Sequence, residues 1–244
     1  MRTTEKLLLG SLVALWLAPW AMADPITYTD GFEGASLSSF WTPLGPGSAT
    51  LTTAAAHSGS QSLYIATSST YPWYLDLFHD FGSEQTGSVS VYVKSGLLCC
   101  GSAADLEADE TGLYSGAFAS IQRTTDIGFV GRPAPPGSPE IPGIVPGIPL
   151  SATGWDHLEL DINASGTTMM INGVVFYTNP LVTEFQYVSL DVWGSPGDSE
   201  YYDDFSATTQ DGESSVPEPQ TLSLVGSILL GFSTMRRMAT KRNG

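Results

Sequence analysis

The chain has 244 residues, 42% hydrophobic and only 14% charged, with a formal net charge of −16. That apolar content supplies a packed core and excludes wholesale disorder. The acidic balance excludes nucleic acid as a partner, because phosphate binding needs Lys and Arg. Of the nine basic residues, only Lys94, Arg123 and Arg132 fall between residues 24 and 220.

Residues 1–23 read as a secretory signal. Arg2 and Lys6 form a basic start, Leu7 to Trp16 an apolar run, and Ala21-Met22-Ala23 a small-x-small cleavage site, so Asp24 is the expected mature start. From 24 to 209 the pattern is all-β. Trp73, Leu75 and Leu77 alternate with Tyr74, Asp76 and Phe78; Val89, Val91 and Val93 with Ser88, Ser90 and Tyr92. Leu158, Leu160 and Ile162 alternate with Glu159, Asp161 and Asn163; Val188, Leu190 and Val192 with Ser189, Asp191 and Trp193. Period two marks half-buried strands. Asn172-Gly173 between Met169–Ile171 and Val174–Tyr177 predicts a two-residue hairpin turn, whose positions both need positive φ. Many short strands separated by turns predict a sandwich or barrel.

Two stretches break the alternation. Leu97 to Gly112 holds Cys99-Cys100 and the acids Asp105, Glu107, Asp109 and Glu110. Gly131 to Leu150 holds seven of the sixteen prolines and predicts a long loop on the sandwich, since proline removes ladder donors. Residues 210–220 read as a spacer. Val216-Pro217-Glu218-Pro219 then precedes an uncharged apolar run from Thr221 to Met235, closed by Arg236-Arg237. Residues 221–244 are therefore expected to form a transmembrane helix with a basic tail. Fifteen helical residues rise only about 22 Å, so snorkelling arginines would have to complete the span. Positive residues stay cytoplasmic, which would place the body outside.

This tripartite tail resembles the PEP-CTERM sorting signal of Gram-negative bacteria. The resemblance implies recognition by an exosortase-type membrane protease, transient anchoring, and a final place on the cell surface or in an extracellular polysaccharide matrix. A second resemblance lies in the body. Thr29-Asp30-Gly31-Phe32-Glu33-Gly34 and His57-Ser58-Gly59-Ser60-Gln61-Ser62-Leu63-Tyr64 look like the opening of jelly-roll carbohydrate-binding modules. Gly154 to Leu160, Met170 to Val175 and Tyr201-Tyr202-Asp203-Asp204-Phe205 look like the closing half of concanavalin A-like, or laminin-G-like, domains. The implied fold is a concanavalin-like jelly-roll β-sandwich.

In that family a structural Ca²⁺ often joins the first and last strands. Glu33 and either Asp203 or Asp204 match those places, and their oxygens suit a hard cation. Sugar binding needs an aromatic platform, for which Trp73, Tyr74, Trp193, Tyr201 and Tyr202 are candidates. Laminarinase-type glucanases of this fold carry Glu-x-Asp-x-Glu on one strand. Here Glu159-Leu160-Asp161-Ile162-Asn163 ends in an amide that cannot protonate a leaving group. His57, His79 and His157 show no metal-ligand spacing. Asp105-x-Glu107-x-Asp109-Glu110 resembles a calcium loop only loosely. Cys99 and Cys100 allow a strained vicinal disulfide, an intermolecular link or two thiols. The expectation is an exported, non-catalytic protein that binds or structures extracellular polysaccharide. The alternatives are a glycoside hydrolase or lyase of the same fold, and a surface adhesin or ice-binding protein.

Overall fold

The computed structural model describes residues 24–97, 103–110, 117–124, 128–133, 151 and 154–211. The signal segment, the apolar tail, Cys99-Cys100 and most of the proline-rich loop lie outside the described residues. Among those described, no helix is long and apolar enough to cross a membrane.

Among the described residues thirteen strands follow in chain order: β1 Ile26–Asp30, β2 Thr42–Leu44, β3 Ser48–Thr52, β4 Ser62–Ala66, β5 Tyr74–Leu97, β6 Ala103–Asp109 and β7 Phe118–Thr124. They continue with β8 Gly128–Pro133, β9 Trp155–Asn163, β10 Gly166–Ile171, β11 Val174–Asn179, β12 Phe185–Trp193 and β13 Ser199–Asp211. All the pairings are antiparallel.

The 24-residue β5 is the spine. Its first part, Tyr74 to Asp80, pairs with β12, which leads through β6 and β7 to β8. Its second part pairs with β9 on one side and β13 on the other, extending to β10, β11, β1, β4 and β3. One strand thus serves both layers of a sandwich. The passage between the layers carries two positive-φ glycines, Gly82 at 79° and Gly87 at 141°. At Gly87 a Cβ would lie 1.9 Å from the Thr208 carbonyl oxygen, so β13 passes where only glycine leaves room.

The period-two runs bury as expected. Leu75, Leu77, Val89, Val91, Val93, Leu158, Leu160, Ile162, Val188, Leu190 and Val192 are each at most 2% exposed. Their burial between the layers drives the assembly, at about 1.5–3 kcal/mol per large aliphatic side chain. Asn172 and Gly173 have φ of 52° and 74°, so the β10–β11 turn forms as predicted.

Two expectations need correction. Residues 97–112 are not a continuous break, because β6 forms within them: Leu106 and Ala108 enter the core while Asp105, Glu107 and Asp109 take the other face. Of the proline-rich stretch, Gly131 to Pro133 belong to β8, at the outer end of the layer.

Candidate functional site

Across the layer built from β5, β12, β6 and β7, residues in register point to the same side. One row runs Asp76, Asp191, Asp105, Gln122. The next runs Phe78, Ser189, Glu107, Ser120, and the third Asp80, Tyr187, Asp109, Phe118. Strand alternation alone turns these side chains away from the hydrophobic core. Five carboxylic acids, Asp76, Asp105, Glu107, Asp109 and Asp191, are nevertheless buried, none more than 3% exposed.

Burial of so many acids has an electrostatic consequence. Glu107 is held well above the usual carboxylic range, first by desolvation and then by Asp109 and Asp105. Asp191 is raised for the same first reason, with Asp105 and Asp76 adding to it. The Gln122 amide donates to Oδ2 of Asp105 at 2.6 Å, and the Trp193 indole reaches the same oxygen at 3.4 Å. Ligand-capable oxygens of Asp105, Glu107 and Asp191 all lie within 4.8 Å of one another.

The aromatic candidates divide. Trp193 stands opposite Tyr74 at the end of the acidic rows. Trp73 precedes β5 instead of entering the core with Leu75 and Leu77, and it is 37% exposed. Its ring meets the 81% exposed Tyr71 edge-on at 5.6 Å, and its carbonyl accepts from Gly194 N–H at 3.1 Å. Tyr71, Trp73, Tyr74 and Trp193 therefore gather at one end of this layer. Tyr201 lies on β13 in the other layer, packed against Tyr64 with ring centroids 5.0 Å apart. Tyr202 is fully buried, so it is a core residue and not a platform; its hydroxyl crosses the sandwich to donate to the Asp191 carbonyl of β12.

Glu33, Asp203 and Asp204 do come to one place, the segment 57–61, where protein donors engage all three. Glu33 accepts from Ser60 N–H, Ser60 Oγ and Gln61 N–H at 2.7–2.8 Å, and these bonds hold its carboxyl below the usual range. Asp203 accepts from the N–H groups of His57, Ser58 and Asp204. Asp204 meets His57 Nδ1 and Ser58 Oγ, each at 2.7 Å. A register shift between Asp203 and Ser206, with Asp204 at a φ of 48°, breaks the alternation expected there. Among the described residues, the acids whose ligand atoms converge are Asp105, Glu107 and Asp191 instead.

His79 stacks on Phe40 at 3.7 Å with its Nδ1 bonded to the Phe40 carbonyl, and His157 neighbours Tyr92 at 4.5 Å. Glu159 and Asp161 lie on β9 in the other layer, away from the acidic rows, while Asn163 accepts from Ser165 N–H. The sequence offered the β6 acids Asp105, Glu107 and Asp109 only as a loose calcium-loop resemblance, and it did not connect them with Asp76 and Asp191. Their signal was present: Asp105-Leu106-Glu107-Ala108-Asp109 alternates, with small or apolar residues between acids.

No protein-family model matches the chain, and no curated protein does. Solved structures do. A cellulose-induced protein, Cip1, aligns with a TM-score of 0.53 and 18% identity over 73% of this chain and 95% of its own. The endo-β-1,3-glucanase of Pyrococcus furiosus gives 0.55 and 12% over 78% and 94%, and a Bacillus licheniformis β-glucanase 0.51 and 9% over 74% and 97%. The body is a concanavalin A-like jelly roll. At these identities the likeness establishes the fold and leaves the activity open.

Proposed function

We propose that this jelly roll is an exported polysaccharide-binding protein that engages glycan at the aromatic end of the β5–β12 layer. The observation that carries this reading is the exposed pair Tyr71 and Trp73 beside Tyr74 and Trp193, where pyranose faces can stack. Polar recognition there falls to the neighbouring strands. Export and sorting rest on the signal-like residues 1–23 and on Val216-Pro217-Glu218-Pro219 with Arg236-Arg237, through an exosortase-type protease, toward the surface or matrix of a Gram-negative bacterium.

A second reading, hydrolysis, is favoured by one observation. Asp105, Glu107 and Asp109 alternate on one strand, and burial together with the neighbouring Asp109 and Asp105 raises the Glu107 carboxyl, the direction that suits a general acid. Against it, the acids are buried to 3% exposure or less.

One assay separates the two. The full chain should bind insoluble or soluble β-glucans and release no reducing ends. Trp73→Ala should weaken binding about tenfold, the loss of one stacked ring. Unchanged binding in Trp73→Ala would sink the aromatic-end reading. Reducing ends that vanish in Glu107→Gln would establish hydrolysis.

A further inference from the structure

We propose that Asp105, Glu107 and Asp191 hold a hard divalent cation, calcium above all, within the β12–β6–β7 layer. This is independent of whether a sugar binds at the aromatic end. The first support is geometric. Two adjacent strands in register bring three carboxylates together, with ligand oxygens within 4.8 Å of one another, a spacing one ion can bridge. Every converging donor is oxygen, with no thiol or imidazole among the three, which selects a hard cation over zinc or copper.

The second support comes from neutral groups. Ser189 and Ser120 stand directly opposite Glu107 on its two flanks, and both are completely buried. Their Oγ atoms, and Oε1 of Glu107, have no hydrogen-bond partner. Buried hydroxyls almost always find one, so two unsatisfied hydroxyls bordering a carboxylate cluster point to a ligand they complete. An ion can take a hydroxyl oxygen directly or through a bound water.

The two basic side chains whose surroundings are described do not serve this cluster. Arg123 turns to Glu200 and Asp156, and Lys94 lies over the Trp155 ring. Gln122 meanwhile holds Oδ2 of Asp105, fixing the orientation of one ligand as outer-shell partners of metal sites do. Asp76 and Asp109 stand at the margin of the triad and add negative field. The site lies in the layer opposite Glu33, Asp203 and Asp204, so the two locations are separable by mutation.

Terbium(III) tests the assignment, because it replaces Ca²⁺ and emits when a nearby indole absorbs. The Trp193 indole nitrogen is 3.4 Å from Asp105 Oδ2, close enough to act as antenna. The full chain, stripped of metal by a chelator, should show tryptophan-sensitised terbium emission saturating at about one ion per chain. Calcium should quench that emission by displacement and should raise Tm by several degrees, more than magnesium does. Trp193→Phe should keep the metal stoichiometry, read by mass spectrometry, while losing most of the emission. Asp191→Asn and Glu107→Gln should lose both, and Glu33→Gln should lose neither. If those two variants fail to fold, the stripped wild-type chain decides the matter. Uptake of neither Ca²⁺ nor Tb³⁺, with Tm unmoved by either, overturns the proposal. So does binding that survives Asp191→Asn and disappears in Glu33→Gln.

Discussion

Glu200 shows how one residue can set a pH dependence. It is completely buried on β13, with Oε1 3.1 Å from Arg123 Nη1 and Oε2 3.4 Å from Gly96 N–H. A guanidinium so close ordinarily lowers a carboxyl, yet burial outweighs it and raises Glu200 from 4.5 to about 7. The native state therefore binds the proton more tightly than the unfolded chain does. The resulting stability is fully present below about pH 4.5 and is lost as pH rises through about 7. At roughly 1.4 kcal/mol per pH unit, the window is worth about 3 kcal/mol. Urea unfolding at pH 5 and pH 7.5 should show wild type losing stability by that order, and Glu200→Gln should flatten the difference. An equal slope in both proteins would assign the dependence elsewhere.

At the scale of elements, β5 concentrates the fold's demands. Its crossing from one layer to the other needs Gly87 at a φ of 141°, with the Thr208 carbonyl where a methyl would go. Gly87→Ala should cost well over 1 kcal/mol, from clash and backbone strain together, while Ser88→Ala beside it should stay within about 0.5 kcal/mol. Thermal melts of the two variants check this, and equal Tm values would deny β5 its role as shared spine. Sequence showed most of this architecture because aliphatic alternation is loud: Val89-Val91-Val93 and Leu158-Leu160-Ile162 each announce a strand and its inner face. It showed β6 poorly because Asp105, Glu107 and Asp109 occupy the face that usually goes to solvent. Three acids in seven residues read as a loop. Nor could spacing reveal that Asp76 and Asp191, far away in the chain, would stand in register with Asp105. The aromatic candidates were harder to sort from sequence. Trp73, Tyr74 and Trp193 lie toward one end of the β5–β12 layer, whereas Tyr202 lies in the core beside a register shift in β13 that simple alternation does not foresee.

For the whole molecule, a net charge of −16 favours solubility and disfavours association with anionic surfaces. If the Pro217-Glu218-Pro219 tail is processed as proposed, intact-mass measurement of the form secreted by its native host should find the segment ending at Gly244 missing. A full-length secreted mass would refute the processing. The ladder between β1 and β13 adds a mechanical consequence. Ile26 sits opposite Thr209 and Asp30 opposite Phe205, so the chain enters and leaves the jelly roll side by side. A pull between those two ends opens the five registered pairs one after another, like a zipper, and meets little resistance. The β1–β13 ladder thus yields to tension applied where the described body begins and ends, pair by pair and not all at once.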